Sequence, residues 1–464
     1  MRLPLGPLLA LPLLLPSILA AADFKAGAAR LKITPDTPIY LSGYANRTHA
    51  SDGVLHDLWA KALAIEDATG ARLVIVTTDL IGLPRPVSDV AAARIAKEYG
   101  LERSRLLFNS SHTHSGPLVG SNLEILFELD RPEKAKVREY TVRLTDSLVV
   151  VVGAAIKNLA PANVSFGNGS APFAVNRRQV TPGGVRIGVN PEGPADRDVP
   201  VLKVASPAGT LRAVVFGYAC HNTTLGGDFY KVSGDYAGFA QIEVERAHPG
   251  SQAMFLMLCG ADQNPNPRGT LNLAERHGET LAAEVNRVVG GSLARVRGPI
   301  RAAFQSVDLA FAPHTRETFA ARLEESNVWR VRHAKAMLKA YEEGRPARRY
   351  SYPVQAAAFG RDLTIIALGG EVVVDYALRA KREFGSKGLV VAGYSNDVMS
   401  YIPSLRVLKE GGYEAVDSMT YYGLPGPYDE EVEERIFATI RQVVKRVNGV
   451  RRGQRPGASS GTLP

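Results

Sequence analysis

The sequence predicts an α/β fold, one large mixed α/β domain around a buried sheet, on three observations. Strand-like and helix-like segments alternate from Phe24 to Val447, the pattern of helix layers packed on a sheet. Strand-like runs such as WAKALAIED and RLVIVTTD are rich in Val, Ile and Leu without clean polar alternation. That is expected when both faces of a sheet are covered. The polar residues able to do chemistry follow directly on such runs, and strand ends are where α/β sheets bind ligands. No internal repeat or interdomain linker breaks the 464 residues.

Residues 1–22 read as a secretory signal peptide: Met1-Arg2, an apolar run from Leu3 to Leu19, then Ala20-Ala21-Ala22. Pro4, Pro7, Pro12 and Pro16 interrupt a run already too short to span a membrane. The expected mature protein is secreted or periplasmic, with cleavage after Ala22. Between Phe24 and Asp79 the runs ARLKIT, WAKALAIED and RLVIVTTD predict strands. Val87 to Tyr99 predicts a helix with Ala91, Ala92, Ile95 and Ala96 on one side and Gly100 as its stop. Arg105 to Ser110 predicts a strand, Pro132 to Leu159 a long helix, and Asn163 to Phe166 a strand. Asn176 to Asp198, rich in Pro, Gly and Arg, predicts a long loop of the kind that is usually functional or disordered.

Two strands then lead to Cys220-His221, followed by a helix at 234–247, a strand at 253–258 and a helix at 273–289. Alternation continues through 300–309, 316–343, 352–359, 363–368 and 375–384 to a strand at 389–392. A Tyr-rich loop and a last helix, 430–447, complete the expected domain over 23–449. The tail, 450–464, has too little apolar content to order itself.

The formal net charge of +9 is spread along the chain apart from its basic end. It suits a solvated surface and peripheral contact with an anionic membrane. A nucleic-acid footprint would need a basic stripe or a fold motif, and the sequence has neither. The two cysteines, Cys220 and Cys259, each close an apolar run. In an exported protein they either pair or stay as buried thiols, and the sequence leaves both open.

The chemistry centres on Asn109-Ser110-Ser111-His112-Thr113-His114-Ser115-Gly116-Pro117. In an extended segment the side chains at i and i+2 point the same way, so His112 and His114 can enter one cavity. His221 follows another apolar run, with Asp228 and Asp235 after it, and Glu371 follows a third. His, His and Glu from separate strand ends make a workable zinc set with a position open for water. The alternative is a hydrogen-bond network without a metal.

The segments GVLHDLWAKALAIED, SHTHSGP, YACHNTT, SGDYAGFAQIEVE, GADQNPN and LGGEVVVDYALR occur in an order that resembles the neutral/alkaline ceramidases. The resemblance runs from about Phe24 to the final helix. It implies a mixed α/β catalytic domain holding one zinc ion, here without the immunoglobulin-like domain that usually follows. By position it implies His112, His221, Glu371 and Tyr401 as zinc ligands, and His114, Tyr413 and Arg177 as catalytic residues. Tyr401 and Tyr413 keep the twelve-residue spacing of the family's tyrosines. Two departures stand out. Asn264 in GADQNPN replaces a serine, which argues against a serine nucleophile and leaves a zinc-bound hydroxide, and Leu118-Val119-Gly120 replaces a common Gly-Gly-Tyr.

The resemblance implies a zinc amidohydrolase acting on ceramide or a related amphipathic N-acyl lipid, with Asn264 at its active site. The alternatives are a metal-dependent hydrolase of another amide or ester and a secreted binding protein on the same fold. A barrel amidohydrolase also uses HxH, but after its first strand, and here at least three strands precede the motif.

Overall fold

A computed structural model describes residues 22–449. The expected signal peptide, except for its last residue, and the expected tail lie outside the described residues. The mixed α/β class holds, and the buried sheet is in fact two stacked sheets. The larger has nine strands, ordered Gln252–Met257, Leu211–Tyr218, Asp198–Ala205, Ala160–Ser170, Phe24–Lys32, Trp59–Asp67, Arg72–Thr78 and Leu106–Ser110, with Ala294–Val296 beside Ala160–Ser170. Its two end pairs are parallel and its centre is antiparallel. The smaller sheet runs Ile300–Ala310, Arg349–Phe359, Leu363–Leu368, Leu389–Ala392, with only the last pair parallel.

Two buried faces explain the unbroken apolar strands. In Trp59–Asp67, Leu63 and Ile65 face the smaller sheet while Ala60, Ala62 and Ala64 face helices Arg85–Tyr99 and Arg131–Lys157. In Gln252–Met257, Met254 and Leu256 face the smaller sheet, and Ala253, Phe255 and Met257 pack on Asp235–Ala247 and Leu271–Gly290. Val374–Phe384 and Val432–Asn448 cover the outside of the smaller sheet through Tyr376, Ile436, Phe437 and Ile440. The result is helix, sheet, sheet, helix. Each buried Val, Leu or Ile contributes about 1.5–3 kcal/mol.

Two expected loops are structured. The segment 176–198 contains a hairpin, Ala174–Thr181 and Gly184–Asn190, joined at Pro182-Gly183 and paired to Gln263–Pro265. Val185, Ile187 and Val189 alternate with Arg186 and Gly188, a period-two pattern that outweighs the Gly and Pro content. The Tyr-rich segment holds a short strand, Tyr401–Ile402, a helix, Leu405–Glu410, a π-helical turn, Tyr413–Asp417, and a helix, Ser418–Tyr422. Segment 316–343 divides into Arg316–Ala320 and Val328–Glu342. Cys220 and Cys259 are both free and buried. No helix among the described residues is long and apolar enough to cross a membrane.

Candidate active site and metal centre

The C-terminal ends of strands from both sheets converge on one cavity of about 330 Å³. His112 follows Leu106–Ser110 and His221 follows Leu211–Tyr218; a bridge between Thr113 and Asn222 ties the two loops together. Glu371 follows Leu363–Leu368, and its short strand pairs in parallel with Tyr401–Ile402. Gly370 makes that turn at φ +71, where a Cβ would lie 2.7 Å from the Ser400 carbonyl oxygen. His112 itself sits at φ 63 and its neighbour Tyr394 at φ 50. Such left-handed non-glycine residues are uncommon and cluster at functional sites.

Backbone carbonyls fix two of the histidines. His112 Nδ1 donates to Ile81 O at 2.7 Å, and His221 Nδ1 donates to Gly260 O at 2.9 Å. Each bond leaves Nε2 as a lone-pair acceptor. Glu371 Oε2 lies 3.0 Å from His112 Nε2 and 3.2 Å from His221 Nε2. Two imidazole acceptors thus face one carboxylate oxygen at hydrogen-bond distance, and these tautomers put no proton between them. A shared cation satisfies all three, so the donor set fits a divalent metal ion. Tyr401 Oη, 3.2 Å from His221 Nε2, adds an oxygen beside them. Burial pushes His221 down to about 3, with Arg177 adding to the effect.

His114 differs from the other two. Its Nε2 is 3.1 Å from His112 Nε2, but its buried Nδ1 has no partner among the described residues. Burial, then His112 and His221, hold it well below the imidazole range. Nitrogens of His112, His114 and His221 all lie within 4.8 Å of one another, so these three could also hold a metal ion. The carbonyl anchors make His112 and His221 the better ligands, and the unanchored ring of His114 is free to exchange a proton. Gly43, at φ +97, makes room for it: a Cβ there would lie 2.4 Å from His114 Nδ1.

The opposite wall is built from side chains. A β-bulge between Asn176 and Arg178 puts consecutive arginines on one side of the hairpin. Arg177 Nε donates to Glu414 Oε1 at 2.8 Å, and Arg178 Nη1 donates to Glu414 Oε2 at 2.7 Å. Arg177 also donates to Tyr401 Oη at 3.0 Å and to Asn264 Oδ1 at 3.3 Å. Tyr413 opens the π-helical turn and lines the cavity, its ring 5.3 Å from that of Tyr401. Burial, reinforced by Glu371, raises its phenol above the usual range, so it stays a donor.

The eight residues expected as metal ligands or active-site residues meet here. Seven line the cavity and His221 lies buried beneath it. Asp235 does not join them; it accepts from the Leu225 and Tyr236 backbone N–H groups. Two partners escaped the sequence reading. Glu414 clamps both arginines, and the Tyr422 hydroxyl donates to Glu371 Oε1 at 2.5 Å. Glu414 directly follows Tyr413, a usable hint; no spacing points to Tyr422.

The profile of the neutral/alkaline non-lysosomal ceramidases, N-terminal part, matches residues 24–309, more than half of the chain. The chain belongs to this ceramidase family. Its relatives include the neutral ceramidase of Pseudomonas aeruginosa, 25% identical over 281 residues, or 56% of this chain and 40% of that protein. The neutral ceramidase of Drosophila melanogaster is 24% identical over 54% of this chain and 37% of its own length. The chain therefore aligns with about two-fifths of these relatives' length. The fold matches the crystal structure of the Pseudomonas aeruginosa neutral ceramidase with a TM-score of 0.70, covering 92% of this chain and 74% of that one at 19% identity. A second structure, a ceramidase complexed with C2, gives 0.71 at 18% identity over 96% of this chain and 77% of that one. Within the ceramidase profile fall His112, His114, Arg177, His221 and Asn264; Glu371, Tyr401 and Tyr413 lie beyond it.

Proposed function

We propose that residues 23–449 form the catalytic unit of an exported, zinc-dependent amidase that cleaves the amide bond of ceramide or a related N-acyl lipid. The observation that carries this reading is the triangle of His112 Nε2, His221 Nε2 and Glu371 Oε2, with sides of 3.0 and 3.2 Å at Glu371. With Tyr401 it makes an all-N/O set of the kind zinc takes, with room for water and substrate. When bound, the zinc ion would polarise the amide carbonyl and lower the pKa of water toward 7.

The chain's own residues do the rest. His114 accepts the proton of the attacking water and delivers it to the amine nitrogen as the C–N bond breaks. The products are a fatty acid and a free amine. The Tyr413 hydroxyl donates to the carbonyl oxygen as charge develops there. Arg177, clamped by Glu414, fixes Tyr401 and Asn264. Asn264 offers an amide where the family serine would offer a hydroxyl, so no covalent step passes through it. The apolar lining from Ile81, Leu123, Leu126 and Tyr421 suits an acyl chain.

The test pairs elemental analysis of protein purified without chelator with fatty-acid release from N-acyl sphingosine and from simple N-acyl amines. About one zinc per chain and release from N-acyl sphingosine are expected. Release from the simple amines alone would withdraw the ceramide assignment and keep the amidase. Bound metal with no release from any amide would leave a binding protein.

A further inference from the structure

The main cavity has a polar annex. A second cavity of about 230 Å³ lies between the hairpin and the loop after Gln263–Pro265. It shares Ile187, Asn264 and Arg268 with the main cavity, so the two adjoin. Among the described residues, no acidic side chain lines the annex. In the main cavity the lining carboxylate among the described residues is Glu371, whose Oε1 accepts from Tyr422 and whose Oε2 faces His112 and His221.

Arg268 stands at the junction. Arg177 is neutralised by Glu414, but Arg268 forms no ion pair among the described residues. Its Nη2 donates to Tyr44 Oη at 3.2 Å, and the Tyr44 ring lies 4.9 Å from that of His114. The guanidinium is therefore one tyrosine ring away from the proposed proton carrier. Asn264 adds a second donor. Its Oδ1 accepts from Arg177 at 3.3 Å and from Thr223 at 3.4 Å, which leaves its NH₂ as the group available to a ligand. Two donors and no carboxylate among the described lining residues favour an acceptor-rich, negatively charged group.

We propose that Arg268, Asn264 and the annex form a head-group subsite for an anionic substituent, carboxylate or phosphate, on the amine side of an N-acyl substrate. The proposal rests on the amidase reading and narrows it: the preferred substrate carries a charge that plain ceramide lacks. The main cavity takes the chain and the reacting amide, and the annex takes the head group.

The test compares N-lauroylglycine and N-lauroyl-O-phosphoethanolamine with neutral N-lauroylethanolamine, below their critical micelle concentrations. With zinc-loaded protein, kcat/KM should favour at least one anionic amide by about tenfold, the scale of one charge-assisted contact. Arg268→Gln should erase the preference, Arg268→Lys should keep part of it, and added salt should shrink it. Arg268 is exposed, so neither change disturbs the core. Binding to metal-free protein, by titration calorimetry, gives a readout without turnover: Arg268→Gln should weaken the anionic amides about tenfold and leave the neutral one unchanged. Equal binding of all three, or anionic binding unaffected by Arg268→Gln, would overturn the subsite. Failure of every amide to be hydrolysed while this binding pattern holds would remove the amidase reading instead.

Discussion

The two walls of the cavity are held by different forces. The histidine wall belongs to the larger sheet, and its ligand geometry is set by backbone: Ile81 O and Gly260 O orient His112 and His221. The tyrosine wall belongs to the smaller sheet and the segment after it, and is set by side chains: Glu414 between Arg177 and Arg178, and Tyr422 on Glu371. Backbone anchors cannot be removed by substitution, whereas a buried ion pair fails when one partner goes. Changes to His112 and His221 should therefore act on metal retention, and changes to the Arg177–Glu414–Arg178 clamp on alignment.

The sharpest break of this contrast is His221→Ala. It deletes a proposed ligand without touching the Arg177–Glu414 clamp. Metal content should fall to near zero and activity by about 10³-fold or more, with little change in Tm of the metal-free protein. Full zinc retention would remove His221 from the ligand set. Next in size is Glu414→Gln, which leaves Arg177 and Arg178 buried without a carboxylate. A stability loss of about 3–5 kcal/mol is expected by denaturant titration, and zinc should stay bound in the folded fraction. An unchanged midpoint would show that the clamp is not what holds this wall.

Tyr413→Phe removes one hydroxyl on the tyrosine wall. It should lower kcat by about 10²–10³-fold with KM and metal content little changed, as for a donor that acts in the transition state. A matching rise in KM with kcat intact would make Tyr413 a binding residue only. Tyr422→Phe tests the point where the walls meet. Freeing Glu371 Oε1 should raise the zinc Kd by about 10–100-fold in chelator competition; no shift would reduce the bond to packing. Smallest is Asn264→Ala. With no covalent step to lose, steady-state turnover should fall by at most about 10²-fold, and abolition in folded, metal-loaded protein would point to another mechanism.

The same contrast governs what was legible before folding. HxH after an apolar strand placed His112 and His114, and YACHNTT placed His221, because strand ends are a local property; the two rings converge through the left-handed backbone of His112 at φ 63 and not through the extended i, i+2 geometry expected. Glu371 joined the histidines as a carboxylate at another strand end; Tyr401 was harder, since its relation to them spans two sheets and only the ordered set of resembling segments brought it in. The hairpin at Ala174–Asn190 read as loop because Pro, Gly and Arg masked a short period-two run. Its bulge, which aims both arginines at Glu414, depends on register and has no sequence signature of its own.

The sequence by itself determined the α/β class and the strand ends that bear His112, His114, His221 and Glu371, since burial pattern and motif spacing are written along the chain; Arg177, Asn264, Tyr401 and Tyr413 came from the resemblance to the ceramidases. Only the tertiary structure decided that the buried sheet is two sheets, that Cys220 and Cys259 stay unpaired, and that Glu414 and Tyr422 hold the tyrosine wall. The physical reason is range. Periodicity and turn chemistry act over a few residues, but Arg177 reaches Glu414 across 237 positions and His112 meets Glu371 from another sheet. Such contacts exist only once hydrophobic stacking of the two sheets has brought their strand ends together.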